Sequence, residues 1–329
     1  MNMESDSQDE AGVMQVLPQP FYRSWFINQF GHLRAAWRIA LLLVITFSIA
    51  YVFGWLVEFV PFPDEGKALI TWKALGHRGG TLLAMIIAAF IMLRWIDRRP
   101  ITLLGLGMLE GWKRDFGIGL AIGIGMISIA LGFLWAGGWM SLSLNELTIG
   151  LVGALSKALL LFFVAALMEE LILRGYVFQA FIEGSRAWIA LIVLSSVFAV
   201  MHLNNPDATI PSSVNIFLAG VLLSVCYLKT RSLWLPTGLH LGWNWMQASC
   251  WGMGVSGYHV KWSVFNAEAQ GADWISGGKF GAEASIFATI VISVVAYLIW
   301  KTDRLGVAKE LEAQWSAYPD GYGLKPQEF

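Results

Sequence analysis

Two adjacent glutamates, Glu169 and Glu170, lie in the apolar stretch ALMEELILRGYVFQAF, with Arg174 one helical turn further on. A charged side chain at the centre of a membrane helix costs about 2.5–3.5 kcal/mol on insertion scales, so it requires a partner or a function. Glu170 and Arg174 have the i, i+4 spacing that favours a helical ion pair. Glu169 is rotated by about 100° around the helix axis and has no local counter-charge, so it is the glutamate available for chemistry. If the helix ends at the lipid headgroups instead, neither glutamate needs a function.

Two of the five histidines also fall within apolar stretches. His202 ends SVFAVMHLNNP, one turn after Phe198, and His240 precedes Asn244 by one turn in LPTGLHLGWNW. A single histidine in a membrane helix is more often a satisfied hydrogen-bonding group than part of a site. Several buried ionisable groups that can converge, however, indicate a functional site.

These residue types fit hydrolysis. A desolvated carboxylate can accept a proton from water near neutral pH, and a neighbouring imidazole can orient that water. A second histidine and an asparagine amide are suitable donors to a developing oxyanion. Alternatively, Glu169, His202 and His240 form the N, N, O ligand set of a catalytic zinc site. The sequence leaves both possibilities open, so a divalent metal such as zinc is a possible cofactor.

Motifs of other reaction classes are absent, among them HExxH, GxSxG and the Walker sequence. The glycines of GIGLAIGIG lie within an apolar stretch, where Gly119 and Gly123 have the GxxxG spacing that permits close helix packing. Lys157 also lies in an apolar stretch, as a coupling residue of a transporter would, although a lysine that reaches the interface or a neighbouring carbonyl is the simpler interpretation.

The composition is that of a polytopic membrane protein. Of the 329 residues, 57% are hydrophobic and 14% are charged, against about 25% charged in soluble domains. The lipid bilayer is therefore a predicted partner. The net charge of −1 gives no indication of a nucleic-acid partner. Cys226 and Cys250 lie in apolar stretches, so a disulfide is not expected.

Apolar runs of about 20 residues, long enough to cross a hydrocarbon core of about 30 Å, predict an all-α membrane protein with about eight transmembrane helices. The predicted spans are 37–60, 80–96, 116–140, 149–171, 186–203, 213–229, 233–252 and 284–301. Four parts follow from them: an interfacial segment 1–36, N-terminal helices 37–148, a membrane core 149–301 and a tail 302–329. The Gly-rich loop 253–283 is interpreted as a connector rather than a lid.

The distribution of Lys and Arg predicts the orientation. Most of the 22 basic residues fall in alternate segments, starting with the N-terminal one. Basic residues concentrate on the cytoplasmic side of membrane proteins. Both termini are therefore expected in the cytoplasm, and a bacterial inner membrane is the expected location.

Three motifs resemble those of the CPBP family, the CAAX-protease and bacteriocin-processing proteins once grouped as Abi proteins. The motifs are Glu169-Glu170-x3-Arg174, Phe198-x3-His202 and His240-x3-Asn244. ISGGKFGAEAS also resembles that family's glycine-rich segment before the last helix. The resemblance covers about residues 150–290.

The resemblance implies an intramembrane endopeptidase of CAAX type that acts on a protein or peptide substrate, with a catalytic cavity inside a bundle of eight helices. It implies that Glu169 and His202 activate the water, and that His240 and Asn244 stabilise the oxyanion. Glu170, Arg174 and Phe198 would be supporting residues. Family members are called metalloproteases, which would make Glu169, His202 and His240 metal ligands. Two other hypotheses are a transporter or channel, and a non-catalytic immunity or scaffold protein of the same fold.

Overall fold

The computed structural model describes residues 25–28, 32–66 and 70–316. The predicted interfacial segment 1–36 and the predicted tail 302–329 therefore lie partly outside the described residues. The helices are α1 (Ala35–Val57), α2 (Trp72–Ile91), α3 (Trp112–Ala136), α4 (Ile149–Glu170), α5 (Tyr176–Gly184), α6 (Ala187–Met201), α7 (Ile210–Thr230), α8 (Trp234–Trp245), α9 (Asp273–Ser276), α10 (Ile286–Lys301) and α11 (Lys309–Ser316).

Turns of π-helix extend three of these helices. Met92–Ile96 continues α2, Leu171–Gly175 joins α4 to α5, and Met246–Trp251 continues α8. Short 3-10 turns cover Ile101–Leu104 and Ala282–Ala284. Such π turns are frequent at functional sites, and the one after α4 begins directly after the glutamate pair.

A two-stranded antiparallel sheet departs from the all-α prediction. Strand β1 (Met140–Leu144) pairs with β2 (Phe265–Ala269), with Met140 opposite Ala269. The sequence MSLSL of β1 alternates apolar and polar residues, which suits a strand with one buried face. The chain is nevertheless mostly helical, as predicted.

Five helical stretches in the described part of the chain can cross a membrane by length and composition. They are Ala35–Val57, Trp72–Ile96, Trp112–Ala136, Ile149–Gly184 and Ile210–Thr230. Two shorter apolar helices, Ala187–Met201 and Ile286–Lys301, accompany them. This supports an integral membrane protein, whereas the number of eight transmembrane helices remains a prediction.

The predicted end of the fourth span was wrong in a way that matters for the site. Helix continues from Ile149 to Gly184 instead of ending at residue 171, because residues beyond the π turn are again apolar. Glu169 therefore lies well before the end of this stretch. Helix α6 has only 15 residues and so rises by about 22 Å. The short α6 and the helical stretch that continues past Glu169 place His202 and Glu169 in one region.

Two apolar clusters form the core, one between α3, α7, α8 and α10, and one between α1, α2, α5 and α6. Glycines let α3 and α8 touch within the first cluster. A Cβ atom on Gly123 would lie 2.1 Å from the Leu239 carbonyl oxygen, and one on Gly238 would lie 2.2 Å from that of Phe116. The close packing predicted from the GxxxG spacing is therefore present, and it fixes the helix that carries His240.

We expect Gly123→Ala to lower the free energy of unfolding by about 1–3 kcal/mol, the usual effect of overpacking. Gly125→Ala is the matched control, because a Cβ atom on Gly125 has no neighbour within 4 Å. Unfolding by SDS in mixed micelles measures both. Equal stability of the two variants would contradict the close contact.

Candidate active site

One cavity contains all four residues predicted to be catalytic. It has a volume of about 320 Å³, and apolar side chains from α3, α4, α7 and α8 form most of its wall. Glu169 lines it from α4, His202 follows α6, and His240 and Asn244 lie one turn apart on α8. Three stretches far apart in the sequence therefore meet at one place.

Glu170 lies outside the cavity and is fully buried. Each of its carboxylate oxygens accepts a hydrogen bond of 3.2 Å from the Arg174 guanidinium, which confirms the predicted pair. The Oε1 atom of Glu170 also accepts a hydrogen bond of 2.9 Å from Nδ1 of His240. Arg174 in turn donates to the Gly220 carbonyl of α7 at 3.0 Å. The supporting glutamate thus joins α4, α7 and α8.

The bond to Glu170 determines which nitrogen His240 presents to Glu169. Because Nδ1–H is donated to Glu170, Nε2 is the other nitrogen of the ring. It lies 3.7 Å from Oε2 of Glu169. The side chain of Glu169 is 31% exposed, and its buried Oε2 accepts no hydrogen bond from the described residues. A carboxylate oxygen that is buried and has no hydrogen-bond donor can accept a proton from water.

Phe198 orients His202 in two ways. The Phe198 carbonyl accepts a hydrogen bond of 2.8 Å from Nδ1 of His202, and the two rings meet edge to face at 4.7 Å. The Arg174 guanidinium lies 4.9 Å from the centre of the Phe198 ring, which is a cation–π distance. The ring nitrogen of His202 that remains for other partners is Nε2.

The metal hypothesis does not gain support from this arrangement. No three His, Cys, Asp or Glu side chains in residues 25–28, 32–66 and 70–316 come together as a metal site would require. Glu169 and His240 approach each other, but His202 does not complete a ligand set with them. The zinc assignment of Glu169, His202 and His240 therefore remains a prediction.

Sequence reasoning missed a second group of polar cavity residues. Asn205, Ser256, Tyr258 and Glu283 line the same cavity, so the 253–283 loop is part of the cavity wall and not a plain connector. Burial raises the pKa of Glu283. The acidic residue in the glycine-rich segment GGKFGAEAS was the available signal, but composition alone does not show which loop residues turn inward.

Lys157 does not face this cavity. It forms an ion pair with Glu65, which precedes α2, and lies over the Trp72 ring at 5.5 Å. Together with the Trp72 backbone N–H, the ion pair lowers the pKa of Glu65. The transporter hypothesis used Lys157 as a coupling residue, whereas here the lysine already has a partner. Cys226 and Cys250 are both free, as expected.

Comparison with known families agrees with the motifs. Residues 151–246 match a family model described as Rce1-like, type II CAAX prenyl endopeptidase. The matched segment covers less than a third of the chain but contains all three motifs. The resemblance to the CPBP family of CAAX proteases is thereby confirmed. No curated protein matches the chain.

We expect Arg174→Met to reduce the free energy of unfolding by about 3–5 kcal/mol, because it leaves the buried Glu170 carboxylate without its cation. Arg186→Met is the control, since Arg186 is exposed at the start of α6. Unfolding by SDS titration measures the difference. A loss no larger than that of the control would show that Glu170 does not depend on Arg174.

Proposed function

We propose that this protein is an intramembrane endopeptidase that hydrolyses a peptide bond of a membrane-associated protein or peptide through a water activated by Glu169. The observation that carries the proposal is the free Oε2 of Glu169, 3.7 Å from Nε2 of His240 in an apolar cavity. The family match to CAAX endopeptidases over residues 151–246 supports the same reaction class.

The reaction begins with the transfer of a proton from water to Glu169, while the resulting hydroxide attacks the carbonyl carbon of the substrate. His202 orients the water through Nε2, since its Nδ1 is bonded to the Phe198 carbonyl. His240, protonated at Nε2 in its imidazolium form, and the amide of Asn244 donate to the oxyanion. When the tetrahedral intermediate collapses, Glu169 returns its proton to the leaving amine.

The first test maps new peptide termini in host membrane and secreted fractions. Cells with the intact protein are compared with cells that carry Glu169→Gln at equal abundance. Gln cannot accept the proton, so termini that depend on the intact protein should disappear; loss of a general base lowers rates by about 10²–10⁴-fold. Glu146→Gln is the control, because Glu146 is exposed before α4. Identical maps would count against a peptidase.

Removal of metal tests the mechanism. If side chains alone activate the water, activity of the purified protein should survive dialysis against a zinc chelator. Metal analysis of the same sample would then find less than one zinc per chain. Activity that disappears on dialysis and returns with zinc would instead establish that the reaction depends on zinc, and it would contradict water activation by side chains alone.

The orientation and location complete the proposal. Arg98 and Arg99 lie between α2 and α3, and Lys113 and Arg114 lie in the first turn of α3, on the side that we assign to the cytoplasm. We assign the protein to a bacterial inner membrane with both termini inside.

A further inference from the structure

Glu283 is positioned at the cavity wall by hydrogen bonds to two other segments. Its backbone carbonyl accepts a hydrogen bond of 2.8 Å from the Asn215 side chain on α7. Its Oε2 accepts hydrogen bonds from the backbone N–H of Ser256 and from the Ser256 hydroxyl. Ser256 is fixed by Asn205, which donates to its carbonyl at 3.0 Å. Three separate segments therefore determine where this carboxylate lies.

The backbone just before Glu283 is closely packed, which limits the positions that its side chain can take. Gly281 has φ = +112°, and a Cβ atom there would lie 1.9 Å from the Gly254 carbonyl oxygen. The Gln247 side chain donates to that same oxygen. Only glycine fits such a position. The backbone conformation of the turn that precedes Glu283 therefore depends on Gly281.

The carboxylate of Glu283 has no direct ion-pair partner among the described residues. It forms no ion pair within 4.0 Å with any described residue, and none of them donates a hydrogen bond to its Oε1. The imidazoles of His202 and His240 lie close enough to act on it electrostatically, but neither donates a hydrogen bond to it. Arg78 lines the cavity but does not pair with it. Oε2 of Glu283 is hydrogen-bonded and Oε1 is open to a further donor. Because burial makes an unpaired charge costly, a cationic donor from a ligand would stabilise the ionised carboxylate.

We infer that Glu283 determines substrate specificity by binding the cationic side chain of a lysine or arginine in the peptide that enters the cavity. This inference rests on the proposed peptidase function and adds a substrate class to it. Cavity residues such as Leu222, Leu223 and Ile292 are apolar, so they suit the aliphatic stem of lysine while its ammonium group reaches Glu283.

The test measures binding, so it does not require cleavage. The full chain carrying Glu169→Gln, in lipid nanodiscs, is titrated with two acetylated, amidated peptides, Leu-Leu-Lys-Leu-Leu and its norleucine counterpart. Norleucine keeps most of the stem and removes the charge. A charged hydrogen bond contributes about 1.5–3 kcal/mol, so the lysine peptide should bind at least about 10-fold more tightly. Adding Glu283→Gln should reduce the ratio of the two dissociation constants, norleucine peptide over lysine peptide, to below about twofold.

Glu268→Gln is the matched control, because Glu268 lies exposed on β2 in the same loop, and it should leave the ratio unchanged. Equal binding of the two peptides before Glu283 is changed would overturn the inference, and this comparison does not depend on the folding of the variant. A ratio that survives Glu283→Gln in a folded protein would also overturn it. Failure of the peptidase proposal would be seen in a different experiment, the mapping of peptide termini, where the intact protein and Glu169→Gln would give the same termini.

Discussion

The buried carboxylate of Glu170 is the interaction on which the rest of the site depends. It is fully buried, bonded to Arg174 on one side and to His240 on the other. Ions removed from water lose several kilocalories per mole of solvation, which the protein must replace with well-placed partners. Here those partners come from the chain just after α4 and from α8, and Arg174 adds the Gly220 carbonyl of α7. The hydrogen bonds that stabilise the Glu170 carboxylate and its partner Arg174 therefore hold α4, α7 and α8 together.

This constraint also explains how two neighbouring glutamates have different surroundings. Consecutive helical residues point about 100° apart, so one faces the helix bundle while the other faces the cavity. Arg174 extends the same network to the Phe198 ring, and Phe198 holds His202. All three motifs are thus linked through Glu170 and Arg174, and His240 receives its orientation from the same carboxylate.

Much of this could be predicted from local rules. The i, i+4 spacing predicted the pair of Glu170 and Arg174, and the spacing of Gly119 and Gly123 predicted that α3 packs closely against another helix, although not that this helix is α8. The bond from His240 to Glu170 was not predicted, because it joins residues 70 positions apart. Helix periodicity carries no information about which helices meet. The end of the fourth span was also misplaced, because a π turn continues the helix through a charged residue that usually marks a boundary.

The inward-facing loop was the hardest part to predict. Its glycines suit a connector equally well, and the contact that matters is between Ser256 and Glu283, 27 positions apart. Only the folded chain shows that Gly254 and Gly281 are pressed together and that the glutamate beyond them lines the cavity. Loop residues of this kind have no periodic signal, because their positions depend on tertiary contacts alone.

The most direct measurement is hydrolysis by the purified protein in proteoliposomes, with a membrane-protein extract as substrate in water enriched in ¹⁸O. Mass spectrometry of the products identifies new C-termini and their oxygen content. The account predicts C-termini that carry ¹⁸O and whose formation requires Glu169. The absence of new C-termini, or their undiminished formation by Glu169→Gln, would contradict it.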